Sequence, residues 1–404
     1  MGRPEVFNRR DAPTDQRHGG GMVMTPEENE RLTRVGPGTP AGEMLRRYWW
    51  PVWFTEQLTT KPVPVRILGE DLVLFRDGAG QAGLMDARCP HRGAALTLGR
   101  AEQRGLRCCY HGWLFATDGQ CLEQPAEPDG KLAAEVRQTA YQVQEISGLV
   151  FAYLGPDPVP LLPPYDLLHA EGRHRIIRAG IDHCNWLQRA ENGVDPMHSM
   201  ALHAGVYPDI ALQRPEVEWT RTWYGFRQSS RYPGQLENVS HQIFPSHTRR
   251  FGARTGDIPS HYMHFRVPAD DVTTTTFYLR VYADASEDSD IECKGMTHHQ
   301  RGVYRHVDDG WWGIASHDQD RAAQESQGLI HDRSHETLGT SDRGVVMLRR
   351  MLSDSIELVA QGVDPIGILR EAPSPDVIVF DAGKNFGEGK EAAMGAPPPT
   401  RKAS

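Results

Sequence analysis

Two short loops, Cys89-Pro90-His91-Arg92-Gly93 and Cys108-Cys109-Tyr110-His111-Gly112-Trp113, constrain this chain more than any other feature. The first offers C-x-H, 16 residues intervene, and the second offers C-x-x-H. Two thiolates and two imidazoles are a ligand set for zinc or for a two-iron cluster. Zinc hairpins generally pair like with like, a pair of cysteines on one arm and a pair of histidines on the other. One Cys and one His per loop suits a cluster whose irons differ, both thiolates on one and both imidazoles on the other. Cys108 makes the C-x-x-H step to His111, which leaves Cys109 as a bystander packed in the loop. A zinc-stapled or merely reduced Cys/His group is the bland alternative.

Neutral histidines in place of two anionic thiolates raise the reduction potential of such a cluster by hundreds of millivolts, roughly the range known for Rieske centres. The rest of the composition fits a reducing compartment. The chain has 404 residues, 39% of them hydrophobic, enough for about two domains. Its six cysteines suit a disulfide framework only in a short secreted chain. The N-terminus lacks an apolar leader core, and no stretch approaches the roughly 18 apolar residues of a membrane span. The expected location is cytoplasmic, away from membranes. A net charge of -9 without a basic run excludes phosphate-driven nucleic-acid binding. Eighteen histidines are a first hint of metal.

Residues 1–24 are polar and glycine-rich and are expected to be disordered or loosely attached, as is the tail 386–404. Thr25-Pro26-Glu27-Glu28 marks a helix start, with a capping box and proline in the first turn. From Pro51 to Pro164, short β-branched runs punctuated by Gly, Asp and Pro predict a small antiparallel β domain. The proline-dense segment Pro156 to Asp166 reads as a linker. In the second half, His261 to Ala283 predicts a hairpin or sheet edge. Val345, Leu348, Leu352, Ile356 and Val359 predict an amphipathic helix that Gly362 stops. The fold class is α+β, with a β domain over 25–165 and an α+β domain over 166–385.

CPHRGA and CxYHGW resemble the cluster signature of the oxygenase component of Rieske non-heme iron oxygenases. The preceding PGTPAGEMLRRYWWPVW is similar to the phthalate dioxygenase and aromatic O-demethylase type, and the likeness runs in patches from Thr25 to Arg370. It implies a [2Fe-2S] cluster on Cys89, His91, Cys108 and His111, and a helix-grip-like catalytic domain with an antiparallel sheet and a mononuclear iron(II). It also implies an aromatic substrate and O2, and electrons from NAD(P)H through a separate reductase carrying flavin or iron-sulfur groups. The expected assembly is a homotrimer or a stacked hexamer.

Asn185 to His203 carries a second constellation, Asn192, Asp195, His198 and His203. Two histidines five residues apart diverge by about 140° on an ideal helix, so both can face one metal only if the turn widens or frays. Pro196 opens a helix, with Asp195 as its cap. An iron(II) that activates oxygen takes two histidines and one carboxylate, with open positions left for O2 and substrate. By the resemblance, His198 and His203 are ligands and the LGTSD segment supplies Asp342. Asp332 and Glu336 are the fallbacks, and an Asp in the first helical turn needs no metal to explain it. The resemblance also makes Asp195 a hydrogen-bonded link between a neighbouring protomer's cluster and His198, and sets Asn192 in the iron pocket. His241, His247, His261, His264, His298, His299, His306, His317, His331 and His335 have no ligand spacing. Arg227, Arg231, Arg249 and Arg250 match a carboxylate fork, with solvated surface arginine as the plainer reading. The expected function is a terminal oxygenase that hydroxylates or O-demethylates an aromatic carboxylate or aryl ether. A Rieske electron carrier with a non-catalytic second domain, and a zinc-stabilised binding module, are the alternatives.

Overall fold

The computed structural model describes residues 24–127, 131–170, 175–235, 237–252, 260–282, 291–299, 310–373 and 377–380. The expectations for 1–23 and for the tail 386–404 lie outside the described residues. Helix α1 (Pro26–Thr33) starts as its sequence requires: Glu28 N–H donates to Thr25 Oγ1, and Thr25 N–H donates to the Glu28 carboxylate. Helix α2 (Pro40–Leu45) follows.

A six-stranded sheet is built from β1 (Trp49–Phe54), β2 (Val63–Ile67), β3 (Glu70–Arg76) and β4 (Ala82–Asp86). A smaller four-stranded sheet comprises β5 (Arg100–Glu102), β6 (Gly105–Arg107), β7 (Leu114–Phe115) and β8 (Cys121–Glu123). After the short helix α3 (Lys131–Glu135), β9 (Ala140–Ile146) and β10 (Leu149–Tyr153) return to complete the larger sheet in the order β1-β10-β9-β4-β3-β2. The pairs in both sheets are antiparallel. The four-stranded sheet and the β3 and β4 side chains enclose a small core of Val73, Phe75, Met85, Leu96, Leu106, Trp113 and Phe115, which also takes in Cys89 and Cys108.

The second half begins with β11 (Arg175–Asp182), α4 (Trp186–Val194) and the five-residue α5 (His198–Leu202). Strands β12 (Glu216–Thr222), β13 (Gly225–Arg231), β14 (Asn238–Ile243), β15 (His247–Gly252), β16 (Ser260–Asp270), β17 (Thr273–Tyr282) and β18 (Ile291–His298) follow. Helices α6 (Ser316–Ser326) and α7 (Arg343–Ala360) close the fold. The eight-stranded sheet has the order β12-β13-β14-β15-β16-β17-β11-β18, antiparallel except where β18 lies parallel to β11. The Thr-rich hairpin β16–β17 is therefore interior to the sheet, which corrects the edge reading. Its hydroxyls are satisfied inside: Thr274 donates to Cys184 O at 2.9 Å and Thr276 to the Asp182 carboxylate at 2.7 Å.

Alternation gives this sheet two unlike faces. Met263, Phe265, Val267, Phe277 and Leu279 join the main core with Phe54 and Phe151 of the first sheet. The Phe151–Phe265 rings meet edge to face at 5.6 Å, an arrangement contributing about 0.5–1.5 kcal/mol beyond area burial. Tyr262, His264, Arg266, Thr276 and Tyr278 point to the other side, and α4 lies across β15, β16 and β17. Helix α7 buries Val345, Leu348, Leu352, Ile356 and Val359. It ends where Gly362, at φ +72°, donates to Val359 O and Val363 donates to Leu358 O.

Candidate metal centres

The two Cys/His loops are built alike. Gly93 N–H donates to Cys89 O at 2.8 Å and Gly112 N–H to Cys108 O at 3.2 Å, and both glycines hold a positive φ, +72° and +75°. A side chain at either position would strain a turn that only glycine adopts freely. The turns bring His91 and His111 within 4.5 Å of each other, ring centroid to centroid, and His91 stacks on Trp113 at 4.4 Å with the rings 3° from parallel. Cys89 and Cys108 are buried free thiols, close enough for a side-chain hydrogen bond. Cys109 is exposed, so it is not packed in the loop as expected.

The group fits a metal cluster. His91 Nδ1 is buried with no hydrogen-bond partner, an arrangement that is costly unless something else takes the lone pair. Burial pushes the Cys89 thiol up to about 11, so at neutral pH it ionises only when a metal displaces its proton. A single tetrahedral zinc would need all four donors within one coordination sphere. Among the described residues, the ligand atoms of three or more such groups lie within 4.8 Å of one another only at His198, His203 and Asp320. The Cys/His set is spread more widely, as two irons require. Arg107 braces the second loop, donating to Gly112 O at 2.6 Å while pairing with Glu102 at 2.8 Å and Glu123 at 2.6 Å.

The second site forms where α4 ends. Asp195 is the C-cap of α4, and its Oδ1 accepts the Met197 N–H at 2.7 Å, turning the chain through Pro196. Helix α5 therefore opens at His198 rather than Pro196. It ends at His203, which has left helical geometry at φ -102°, ψ 18°. This resolves the angular conflict: the rings stand 5.5 Å apart in a T arrangement. His198 Nε2 lies 3.4 Å and His203 Nε2 3.2 Å from the same oxygen, Oδ1 of Asp320 on α6.

Neighbouring groups hold these three residues. His203 Nδ1 bonds Gln319 Oε1 at 3.0 Å, which leaves Nε2 free for a metal. Asn192 Nδ2 donates to Asp320 Oδ1 at 3.1 Å. His198 Nδ1 is buried without a partner, with Asp195 Oδ2 at 3.7 Å. Burial raises the Asp320 pKa, but His203 and His198 outweigh it and hold the carboxylate well below its ordinary range. Burial lowers the His203 pKa, but the hydrogen bond to Asp320 outweighs it, so the net shift is upward. Two imidazoles and a carboxylate on one side form a facial triad suited to iron(II).

Asp342 does not join them, and the expectation of it as third ligand is corrected. Its carboxylate accepts the Gly339 N–H at 2.6 Å, reaching back across the short 3-10 turn Thr340–Asp342 that leads into α7. The fallbacks are engaged too: Asp332 accepts from Ser334, and Glu336 forms a bidentate pair with Arg349 at 2.6 and 2.9 Å. Arg249, 1% exposed, is spent on Asp166 at 2.9 Å on the sheet's apolar side. Arg231 stands exposed at the end of β13.

A fold with one Cys/His cluster site in a β domain and a facial triad in an α+β domain defines a protein that stores electrons at one place and uses them at another. Comparisons agree. The Rieske [2Fe-2S] domain matches residues 48–142. The oxygenase subunit of 5,5'-dehydrodivanillate O-demethylase from Sphingobium sp. is 38% identical, covering 86% of this chain and 84% of its own length. The oxygenase subunit of phthalate 4,5-dioxygenase from Pseudomonas putida is 34% identical, covering 89% of this chain and 92% of its own. The structure of NdmA from Pseudomonas putida CBB5 with caffeine has the same fold, with a TM-score of 0.65 at 22% identity over 80% of this chain and 94% of that one.

The chain belongs to the Rieske non-heme iron oxygenases, as an oxygenase component of the phthalate dioxygenase and O-demethylase type. Members carry the [2Fe-2S] cluster and a mononuclear iron, and take electrons from a separate reductase. This is an enzyme class, not the electron carrier or zinc module held as alternatives. No helix among the described residues is long and apolar enough to cross a membrane.

Proposed function

We propose that this oxygenase component hydroxylates or O-demethylates an aromatic carboxylate or aryl ether, with Cys89, His91, Cys108 and His111 holding the cluster and His198, His203 and Asp320 holding the iron. The observation that carries the reading is the convergence of His198 Nε2 and His203 Nε2 on one oxygen of Asp320. When bound there, iron supplies a centre that activates O2 with electrons from the cluster. The chain's own residues do the rest. Gln319 fixes the His203 tautomer, Asn192 orients the Asp320 carboxylate, and Asp195 tethers the turn that presents His198. Relatives acting on dehydrodivanillate and phthalate support an aromatic acid or ether as substrate.

Asp195 also stands where electrons would enter, beside His198 Nδ1. The cluster edge carries the exposed Tyr110, 56% accessible, with Arg92 over its ring. A surface of that kind suits docking against a neighbouring protomer, so the working unit is a homotrimer or stacked hexamer in which Asp195 links one protomer's cluster to the next protomer's iron. The test is metal analysis with turnover: about three irons per chain, a rhombic paramagnetic signal on reduction, and oxidation of a methoxybenzoate or phthalate with reductase and NADH. Two irons per chain and no oxidised product would overturn the reading.

A further inference from the structure

A buried amide beside the Cys/His loops has nothing to bond. Gln124 is 6% exposed, yet neither its Nε2 nor its Oε1 finds a hydrogen-bond partner among the described residues. Buried side-chain amides are normally satisfied. Gln138, equally buried in the same domain, shows the norm. Its Nε2 donates to Asp86 O at 3.0 Å and Arg88 O at 2.6 Å, and its Oε1 accepts the Thr139 N–H at 3.0 Å.

Three ties press the Gln124 segment against the second cluster loop. Strands β7 and β8 pair Leu114 with Glu123, so the next step of that register sets Gln124 opposite Trp113. Opposed residues on antiparallel strands share a face. Trp113 faces the small core, stacked on His91 at 4.4 Å. Glu123, just before Gln124, pairs with Arg107, which also donates to Gly112 O. Pro125, just after it, lies so close to Gly112 that a Cβ added there would come within 3.2 Å of its ring.

The small core is apolar apart from the sulfurs of Cys89, Cys108 and Cys121, so sulfur is the acceptor these surroundings offer. Cys121 alone does not meet the need. Burial pushes its thiol up and so keeps it protonated, its Sγ sits 3.7 Å from Glu123 O, and it approaches the Gln124 amide without forming a hydrogen bond to it.

We propose that Gln124 Nε2 donates a hydrogen bond to a sulfur of the [2Fe-2S] cluster and thereby raises the cluster's reduction potential. The proposal rests on the assignment of the cluster to Cys89, His91, Cys108 and His111. Reduction adds one electron, and hydrogen bonds to the sulfurs are one of the controls on where that step falls. A donor aimed at a sulfur is held more strongly once the cluster carries the extra negative charge, so it favours the reduced state. Oε1 is left to accept the Cys121 thiol proton, which satisfies both ends of the amide.

Two measurements on the cluster-loaded protein test this. Pulsed paramagnetic resonance of the reduced cluster, in protein labelled with nitrogen-15 at its glutamine side-chain amides, should show a weak amide coupling that Gln124→Met abolishes. Redox titration followed by visible absorbance should show Gln124→Met lowering the potential by about 59 mV, a tenfold weaker one-electron equilibrium. Gln124→Glu, of the same shape but unable to donate when ionised, should lower it at least as far. Gln120→Met, exposed on the same hairpin, should change neither reading. No glutamine coupling in the unaltered protein would overturn the proposal whether or not the variants fold. A potential that Gln124→Met leaves unchanged, or a coupling that survives it, would do the same. A protein that takes up no cluster irons would instead sink the cluster assignment on which the proposal rests.

Discussion

Asn192 Nδ2 lies 3.1 Å from Asp320 Oδ1, joining the last turn of α4 to α6 across the metal triad. That bond sets the carboxylate's orientation before any ion arrives. Asn192→Leu should therefore weaken iron retention roughly 10- to 100-fold. Chelator competition followed by metal analysis reads the loss, and the visible absorbance of the cluster should not change.

Asp195 holds no metal in this account, so Asp195→Asn should keep about three irons per chain and the cluster's paramagnetic signal. What falls is the rate at which a reduced cluster is reoxidised in the presence of O2 and substrate, by roughly 10- to 100-fold. Stopped-flow absorbance measures it. An unchanged rate would remove Asp195 from the electron route.

Arg107 ties the second cluster loop to β5 and β8 through Gly112 O, Glu102 and Glu123. Arg107→Ala should leave the β domain folded but speed cluster loss on standing in air, followed by the decay of visible absorbance. Arg104→Ala, whose partner Glu123 is shared but whose side chain is largely exposed, should do little.

A buried network joins α4 to α7: Arg333 and Arg349 both grip Glu191, and Arg349 also grips Glu336. Burial raises the Glu336 pKa, but His331 and Arg349 prevail and hold it near 2, below its unfolded value of about 4.3. A depressed acid stabilises the fold above its unfolded pKa and loses that contribution as pH falls through the folded one. Stability from this network is thus level from about pH 5 upward and declines between about pH 4.3 and 2. Arg333→Met should cost about 3–5 kcal/mol in denaturant unfolding, because it strips a partner from a buried pair.

Much of this was legible in the residues. The spacing of Val345 to Val359 gave α7 and its buried side, and Thr25 with Glu28 gave the start of α1, because both signals are local. The Cys/His loops were legible because a mixed-ligand cluster demands that pairing. Asp320 was not. Its helix buries Gln319, Arg321, Gln324 and Glu325 in place of an apolar stripe, so α6 carries no hydrophobic period to mark an inward face. Asp342 looked stronger because the LGTSD segment resembles the family's third-ligand segment, yet its carboxylate is engaged locally by the Gly339 N–H. Arg266 and His264 escaped for a different reason: their alternation with Met263, Phe265 and Val267 is visible in β16, but that α4 packs against this strand depends on contacts between segments far apart along the chain.

Iron content in paired variants tests the central assignment most directly. Asp320→Ala should retain the two cluster irons with their absorbance and paramagnetic signal while losing the third iron and all product formation. Asp342→Ala should keep all three irons and most turnover, at a cost of about 1 kcal/mol in stability for the lost hydrogen bond from the Gly339 N–H. A third iron that survives Asp320→Ala, or disappears with Asp342→Ala, would contradict the account.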